Sequence, residues 1–210
     1  MNQHEPVAFI VDDDEAVRDS LGLLLKAAGV GSRSYDSAEA FLDDFDPREY
    51  GCLVLDIRMP GMGGLELQTV LQQRNVALPI VFITAHGDVP MAVEAVRRGA
   101  VDFIQKPFDD EALVEKVTDA LAASARQHEE ELERNDIRRR VDSLTARERQ
   151  VMTQVVRGKA NKVIASDLGV SQRTVEIHRS RVMEKMQAAS LAQLVRWCWS
   201  RKPISEAHGR

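Results

Sequence analysis

In the first part of the chain five short segments, at 7–11, 31–35, 52–55, 80–83 and 101–104, read as candidate strands, and most of them are continuous apolar runs. Runs without polar alternation are the mark of strands buried on both faces. Between them, apolar residues recur at helical spacing. In 16–28 the stripe "LGLLLKAAG" is closed by Gly29, and the segment 90–98 is closed by Gly99. Five such units predict an α/β fold with a doubly wound, five-stranded parallel sheet. The last helix of this region starts near Asp110 and runs on through "ASARQHEEELERNDIRRRV".

From 122 to 143 the pattern turns polar, with Leu132, Ile137 and Val141 as the apolar exceptions. This predicts a solvated, charged helical linker rather than a coiled coil, whose heptads would persist longer. From Leu144 onward only helical periodicity remains. Thr145-x-x-Glu148 is a capping box that opens one helix, and Ser190-x-x-Gln193 has the form of another. Between them, "KVIASDLGVSQRTVEIHRSRVMEKM" reads as a short helix, a glycine-containing turn and a longer helix. The expected organisation is therefore an α/β domain over 1–121, a linker over 122–143 and a smaller all-α helix-turn-helix domain over 144–210.

Charge sharpens this division. Residues 1–121 carry 10 basic and 22 acidic side chains, a net of −12, whereas 144–210 carry 13 and 5, a net of +8. The acidic part suits a cationic partner and the basic part a polyanion. Cys52 and Cys198 lie far apart and in no metal-binding or redox spacing, which suits a reducing compartment. No apolar run is long enough to span a bilayer, and "MNQHEPVAFIV" lacks the basic region and hydrophobic core of a secretory signal. A cytoplasmic protein with no membrane partner is expected.

Ligands of open parallel sheets gather beyond the carboxyl ends of the strands, where the strand order switches. Asp12 and Asp13 follow the first strand, Asp56 ends the third, Thr84 the fourth and Lys106 the fifth. In the order 2-1-3-4-5 the first and third strands are neighbours, so the three carboxylates converge. They repel one another unless a cation is present, and an oxygen-only donor set suits Mg²⁺, or Mn²⁺ in its place. Asp56 then acts as a carboxylate nucleophile toward a phosphoryl group, whose remaining oxygens Lys106 and the Thr84 hydroxyl hold. Taken singly, each residue has an ordinary alternative as a cap or a solvated side chain. Five suitable residues at the same ends of four strands favour the pocket. Asp14 and Glu15 come too late to point there and are expected to start the next helix.

In the basic region Gly169 closes the short helix and Ser171 caps the next, the outline of a DNA-binding helix-turn-helix. The second helix carries Arg173, Thr174, Glu176, Ile177, Arg179, Ser180 and Arg181 as candidate base contacts, while Val175, Val182 and Met186 face the core. Lys159, Asn161, Lys162 and Lys185 are assigned to phosphates. His178 has no second metal ligand at a suitable spacing and reads as a packing or surface residue. Trp197 and Trp199 are core or dimer contacts.

"VDDDEAVRD", "LVLDIRMPGMGGLEL", "PIVFITAHGD" and "GAVDFIQKPF" resemble the receiver domain of two-component response regulators over 5–121. "LTARERQVMTQVVRGKANKVIASDLGVSQRTVEIHRSRVMEKMQAASLAQLVRW" resembles the LuxR-type output domain. Together they resemble the NarL/FixJ class, and "AHGDVPMAVEAVRRGAVDFIQKPF" is closest to its FixJ branch. The resemblance implies that a sensor histidine kinase phosphorylates Asp56. It further implies that Asp13, Asp56 and the Arg58 carbonyl coordinate Mg²⁺, that Asp12 assists through water and that Lys106 contacts the phosphoryl group. By the same resemblance Lys106-Pro107 is cis, and Thr84 and Phe103 form a switch pair that favours a homodimer on phosphorylation. Promoter DNA and RNA polymerase are the implied output partners, with the third helix of the output domain as reader and the fourth assisting dimerisation. The sequence does not rank dimerisation against relief of masking as the route of activation.

Two other functions share parts of this pattern. A phosphohydrolase of the haloacid dehalogenase kind also uses an Asp nucleophile and Mg²⁺, but needs a general-acid Asp two residues on, where this chain has Arg58. A quorum regulator shares the output domain, but its front domain would have no use for the five-residue pocket.

Overall fold

The computed structural model describes residues 5–85, 97 and 99–199, and the chain divides into two compact units, 1–129 and 130–210. In the first, strands β1 (Val7–Val11), β2 (Ser32–Tyr35), β3 (Gly51–Asp56), β4 (Ile80–Thr84) and β5 (Asp102–Gln105) form one parallel sheet in the order β2-β1-β3-β4-β5. Each strand lies within one residue of its expected position. The fifth is shifted by one: Val101 stays 49% exposed, and β5 pairs with β4 from Asp102 to Gln105.

Side-chain alternation along the strands builds two cores. Phe9, Val11, Leu53, Leu55, Ile80 and Phe82 pack with Phe41, Leu67 and Leu71 of α2 (Ala38–Asp44) and α3 (Gly64–Gln73). Ala8, Ile10, Cys52, Val54, Val81 and Ile83 pack on the other face with Leu21 and Leu25 of α1 (Glu15–Ala27) and Leu113, Val117 and Leu121 of α4 (Asp110–Asp142). Fully burying each large side chain is worth about 1.5–3 kcal/mol, so both faces must be covered for the sheet to persist. Asp14 is the N-cap of α1, accepting from the Ala16 N–H at 2.9 Å, and Glu15 is its first residue. The expected helix at 90–98 lies outside the described residues apart from Arg97.

The charged stretch 122–143 is helical, but it is not simply solvated linker. Ser124 is buried and its hydroxyl accepts from the Gly51 N–H at 3.0 Å, while the His128 ring stacks on Tyr50 at 4.1 Å. Ile137 and Val141, one helical turn apart, are both buried in the core of the second unit. Composition hid this because a few apolar residues on one face suffice to dock a helix whose other faces are charged.

That second unit contains α5 (Ala146–Val156), α6 (Asn161–Leu168), α7 (Gln172–Met186) and α8 (Leu191–Trp199). Ile137, Val141 and Leu144 pack with Met152, Val182, Met186 and Leu194, and a second cluster joins Val151 and Val155 to Ile164, Ala165 and Val175. The capping box of α5 is complete, with reciprocal Thr145 and Glu148 bonds. At α8 the Ser190 hydroxyl accepts from Gln193 N–H, while the Gln193 side chain accepts from Ala189 N–H rather than from Ser190. Gly169 ends α6 at φ 64°, a left-handed turn that costs glycine little.

Gly51 has no room for a side chain, because a Cβ there would collide with the Val7 carbonyl oxygen of the neighbouring strand. Gly51→Ala is expected to destabilise the first unit by about 1–3 kcal/mol. Urea unfolding followed by circular dichroism should show a lower midpoint for that unit and an unchanged transition for the second.

Candidate functional site

Adjacency of β1 and β3 decides the pocket. Val11 pairs with Leu55, so the residues that follow them, Asp12 and Asp56, emerge side by side at the carboxyl edge of the sheet. Ligand oxygens of Asp12, Asp13 and Asp56 all lie within 4.8 Å of one another. Asp12 and Asp56 are buried and Asp13 is exposed, so the cluster is open to solvent on one side.

Lys106 is the local counter-charge. Its ammonium lies 2.7 Å from Asp12 Oδ2 and 3.7 Å from Asp56 Oδ2. The Lys106 N–H donates to the Thr84 carbonyl at 2.9 Å, which ties the end of β5 to the end of β4, and the Lys106-Pro107 bond is cis. Thr84 is buried. Phe103 pairs with Phe82, packs half-buried against the first core and, by strand alternation, shares a sheet face with Thr84. Burial pushes the Asp56 carboxyl above its ordinary value; Lys106 opposes the shift, Asp12 adds to it, and the Arg58 and Ile57 N–H groups oppose it.

Three further residues hold this frame. Arg18 donates to the Asp12 carbonyl at 2.8 Å from the first turn of α1. Glu39 of α2 accepts from the Met62 N–H at 3.1 Å and so braces the loop after Asp56. At Gly64 a Cβ would meet the Asp56 carbonyl, so α3 begins hard against the Asp56 backbone. No sequence signal marks Arg18 or Glu39, since their partners are backbone groups. The "GMGG" run does hint at a close approach.

The helices of the second unit sort its candidate contacts. Arg173, Glu176, Ile177, Ser180 and Arg181 are exposed on α7, and the Arg173 and Glu176 side chains approach to 3.8 Å. Val175, Val182 and Met186 are buried as expected. Ser171 caps α7, accepting from the Thr174 N–H at 3.0 Å, and its hydroxyl also bonds Thr174 Oγ1. Arg179 is half-buried and donates to Asn161 Oδ1 at 2.9 Å. Lys162 is exposed, and Lys159 is paired with Asp167 at 2.7 Å. Lys185 stands apart from the phosphate group expected of it. It bonds Glu148 Oε2 at 2.7 Å and the Ser143 carbonyl at 3.2 Å, fastening the end of α7 to the start of α5. His178 is half-buried with a partnerless buried Nδ1, and Trp197 packs half-buried against the core beneath Arg140. The Trp199 side chain lies outside the described residues.

Residues 8–118 match the response regulator receiver domain, and residues 142–198 match the bacterial regulatory proteins of the luxR family. The chain belongs to the response regulators. It is a transcriptional regulator in which a receiver precedes a LuxR-type DNA-binding domain, not an enzyme of the usual kind. Among its relatives, the transcriptional regulatory protein FixJ of Azorhizobium caulinodans is 50% identical over 89% of each chain. The solved structure of the response regulator StyR, 42% identical, covers 94% of this chain and all of that one at a TM-score of 0.88. Full-length FixJ from B. japonicum, 44% identical, covers 93% and 97% at a TM-score of 0.56.

Receiver domains typically bind Mg²⁺, and the residues present fit it: three carboxylates in close reach, all hard oxygen donors, with one of them open to solvent. The two domains of this response regulator imply a kinase and DNA as partners. Among the described residues no helix is long and apolar enough to cross a membrane.

The Lys185 hydrogen bond, with help from the Thr145 N–H, holds the Glu148 carboxyl down at about 2. Because the folded value is depressed, this contribution to stability is complete above the ordinary carboxylate range and is lost as pH falls from about 4.5 through about 2. Glu148→Gln keeps an acceptor for the cap but not the ion pair. At neutral pH it is expected to cost about 1.5–3 kcal/mol. Chemical denaturation at neutral and acid pH should show the loss shrinking over that window.

Proposed function

We propose that Asp56 accepts a phosphoryl group from the phosphohistidine of a sensor histidine kinase, in a Mg²⁺-dependent reaction, and that this controls dimerisation and sequence-specific DNA binding. The observation that carries the reading is the convergence of Asp12, Asp13 and Asp56 within 4.8 Å, with Lys106 beside them. Asp13, Asp56 and the Arg58 carbonyl would hold the metal, with Asp12 assisting through water. When bound, Mg²⁺ supplies positive charge that offsets the carboxylates and the incoming phosphoryl oxygens.

The residues of the chain then divide the work. An oxygen of Asp56 forms the new P–O bond as the P–N bond of the donor breaks, and the leaving imidazole nitrogen keeps the electron pair. Lys106, 3.7 Å from Asp56 Oδ2, favours the charged, nucleophilic form of that carboxyl. Lys106 exchanges part of its contact with Asp12 for a phosphoryl oxygen. The Thr84 hydroxyl turns toward another oxygen, and Phe103 moves into the space it leaves. The phosphoryl group shifts the population because it is bound better in one arrangement than in the other. The receiver also limits the life of its own acyl phosphate by hydrolysis.

In the output unit, Arg173, Glu176, Ile177, Ser180 and Arg181 present an outward face to base edges. Lys159, Asn161 and Lys162 lie toward phosphates, and Ser171 and Thr174 set the start of the reading helix. The dimer acts in the cytoplasm, at promoters where RNA polymerase is the further partner.

Incubation with a small phosphodonor and Mg²⁺, followed by intact-protein mass measurement, tests the pocket. Asp56→Asn is expected to abolish stable phosphorylation, and Asp13→Ala to reduce it more than about tenfold. Asp14→Ala should leave it nearly unchanged, since that residue caps α1. Stable phosphate on Asp56→Asn would refute the assignment.

A further inference from the structure

Along α7, Arg179 lies four residues after Val175, three before Val182 and seven before Met186, all three of which are buried. Helical spacing therefore puts Arg179 on the inward stripe, away from the face that carries Arg173, Ile177 and Ser180. An arginine in such a place must satisfy its donors locally or be costly. The bond it makes is to Asn161 Oδ1, at 2.9 Å. No carboxylate pairs with it among the described residues, so an ion pair is not what retains it.

We propose that Arg179 is a positioning residue for DNA recognition: through Asn161 it pins α6 against α7 and does not itself read a base. This rests on the reading of α7 as the recognition helix. The two helices are joined at one end by the turn at Gly169 and Ser171, and Ile164 and Ala165 pack on Val175 in between. A turn and an apolar contact leave a rotation about the contact partly free. The Arg179–Asn161 bond, at the far end of α6, removes it. It also fixes the amide plane of Asn161 beside the exposed Lys162, so the phosphate-side residues are held in register with the outward face of α7.

Electrostatics supports a role that matters most on DNA. Asn161 is the first residue of α6, which has no acidic residue in its first turn and no side-chain cap. The guanidinium thus stands at the positive end of a helix dipole, an arrangement that costs free energy in the isolated protein. A polyanion along this edge offsets that cost. A bidentate guanine contact, in contrast, requires a side chain on the outward face with two free nitrogens aimed at the groove.

The test uses the full chain with acetyl phosphate and Mg²⁺, and a duplex enriched by the wild-type chain from a randomised pool, together with its single-base-pair variants. Arg179→Met, Asn161→Ala and the double variant are compared for affinity, base preference and thermal unfolding. Each single variant is expected to bind the enriched duplex about tenfold more weakly, and the double variant no more weakly than either. The order of preference among the variant duplexes and the unfolding midpoint should be nearly unchanged, whereas Ile177→Ala should alter preference at particular base pairs. A loss confined to one base pair would make Arg179 a base reader and overturn the proposal. Additive losses, unchanged affinity, or a loss explained by unfolding at the assay temperature would overturn it as well. If the wild-type chain enriches no duplex, the reading of α7 fails and the proposal falls with it.

Discussion

Mutual repulsion among Asp12, Asp13 and Asp56 is the constraint around which the first unit is arranged. Ligand oxygens within 4.8 Å of one another cost roughly 3–4 kcal/mol for each fully charged pair at an effective dielectric of about 20. Folding must supply that energy from elsewhere. The two apolar cores on either side of the sheet do so, because β1, β3 and β4 are buried on both faces and cannot separate without exposing both. Lys106 offsets part of the remainder, and its ammonium is nearer Asp12 than Asp56. Asp56 is thereby left as the less neutralised of the two buried carboxylates, with its proton affinity raised chiefly by burial.

The second unit solves a related problem with the opposite sign. It is basic, and its cations must be kept from destabilising a small helical core. Lys159 and Lys185 are paired with Asp167 and Glu148, and Arg140 is paired with Asp136 and lies over the Trp197 ring. On the outward face of α7 and at Lys162, basic side chains are exposed, so positive charge is available there to a polyanion.

Much of this was legible in the sequence, for identifiable reasons. Continuous apolar runs marked most of the strands, the polar Ser32–Tyr35 being an exception, and the positions of Asp12, Asp56, Thr84 and Lys106 at strand ends brought them together, because strand order alone decides what those ends share. Caps at Asp14, Thr145 and Ser171 were readable because capping is local in sequence. What escaped were interactions between distant residues with no spacing rule: Arg18 on the Asp12 carbonyl, Glu39 on Met62, Ser124 on Gly51. The tie of Lys185 to Glu148, an acid 37 residues earlier, escaped for the same reason. The buried ends of the stretch 122–143 were missed because its mean composition is polar while its docking residues, Ser124, Ile137 and Val141, are few.

Two of those docking residues, Ile137 and Val141, make the end of α4 part of the second unit. α4 begins at Asp110, four residues after Lys106, and ends at Asp142. Near its end Arg140 donates to the Met186 carbonyl at 3.0 Å, at the C-terminus of α7, and the next residue, Val141, packs in the same cluster as Met186. The Ser143 carbonyl, just beyond, accepts from Lys185. The end of α4 and the residue after it are therefore fastened to the final turn of α7 by two hydrogen bonds and an apolar contact. A cation at a helix C-terminus is favoured by the dipole, so Arg140 both satisfies an orphan carbonyl of α7 and complements its negative end. The end of α4 is thus part of the packed framework of the second unit and not a solvated tether.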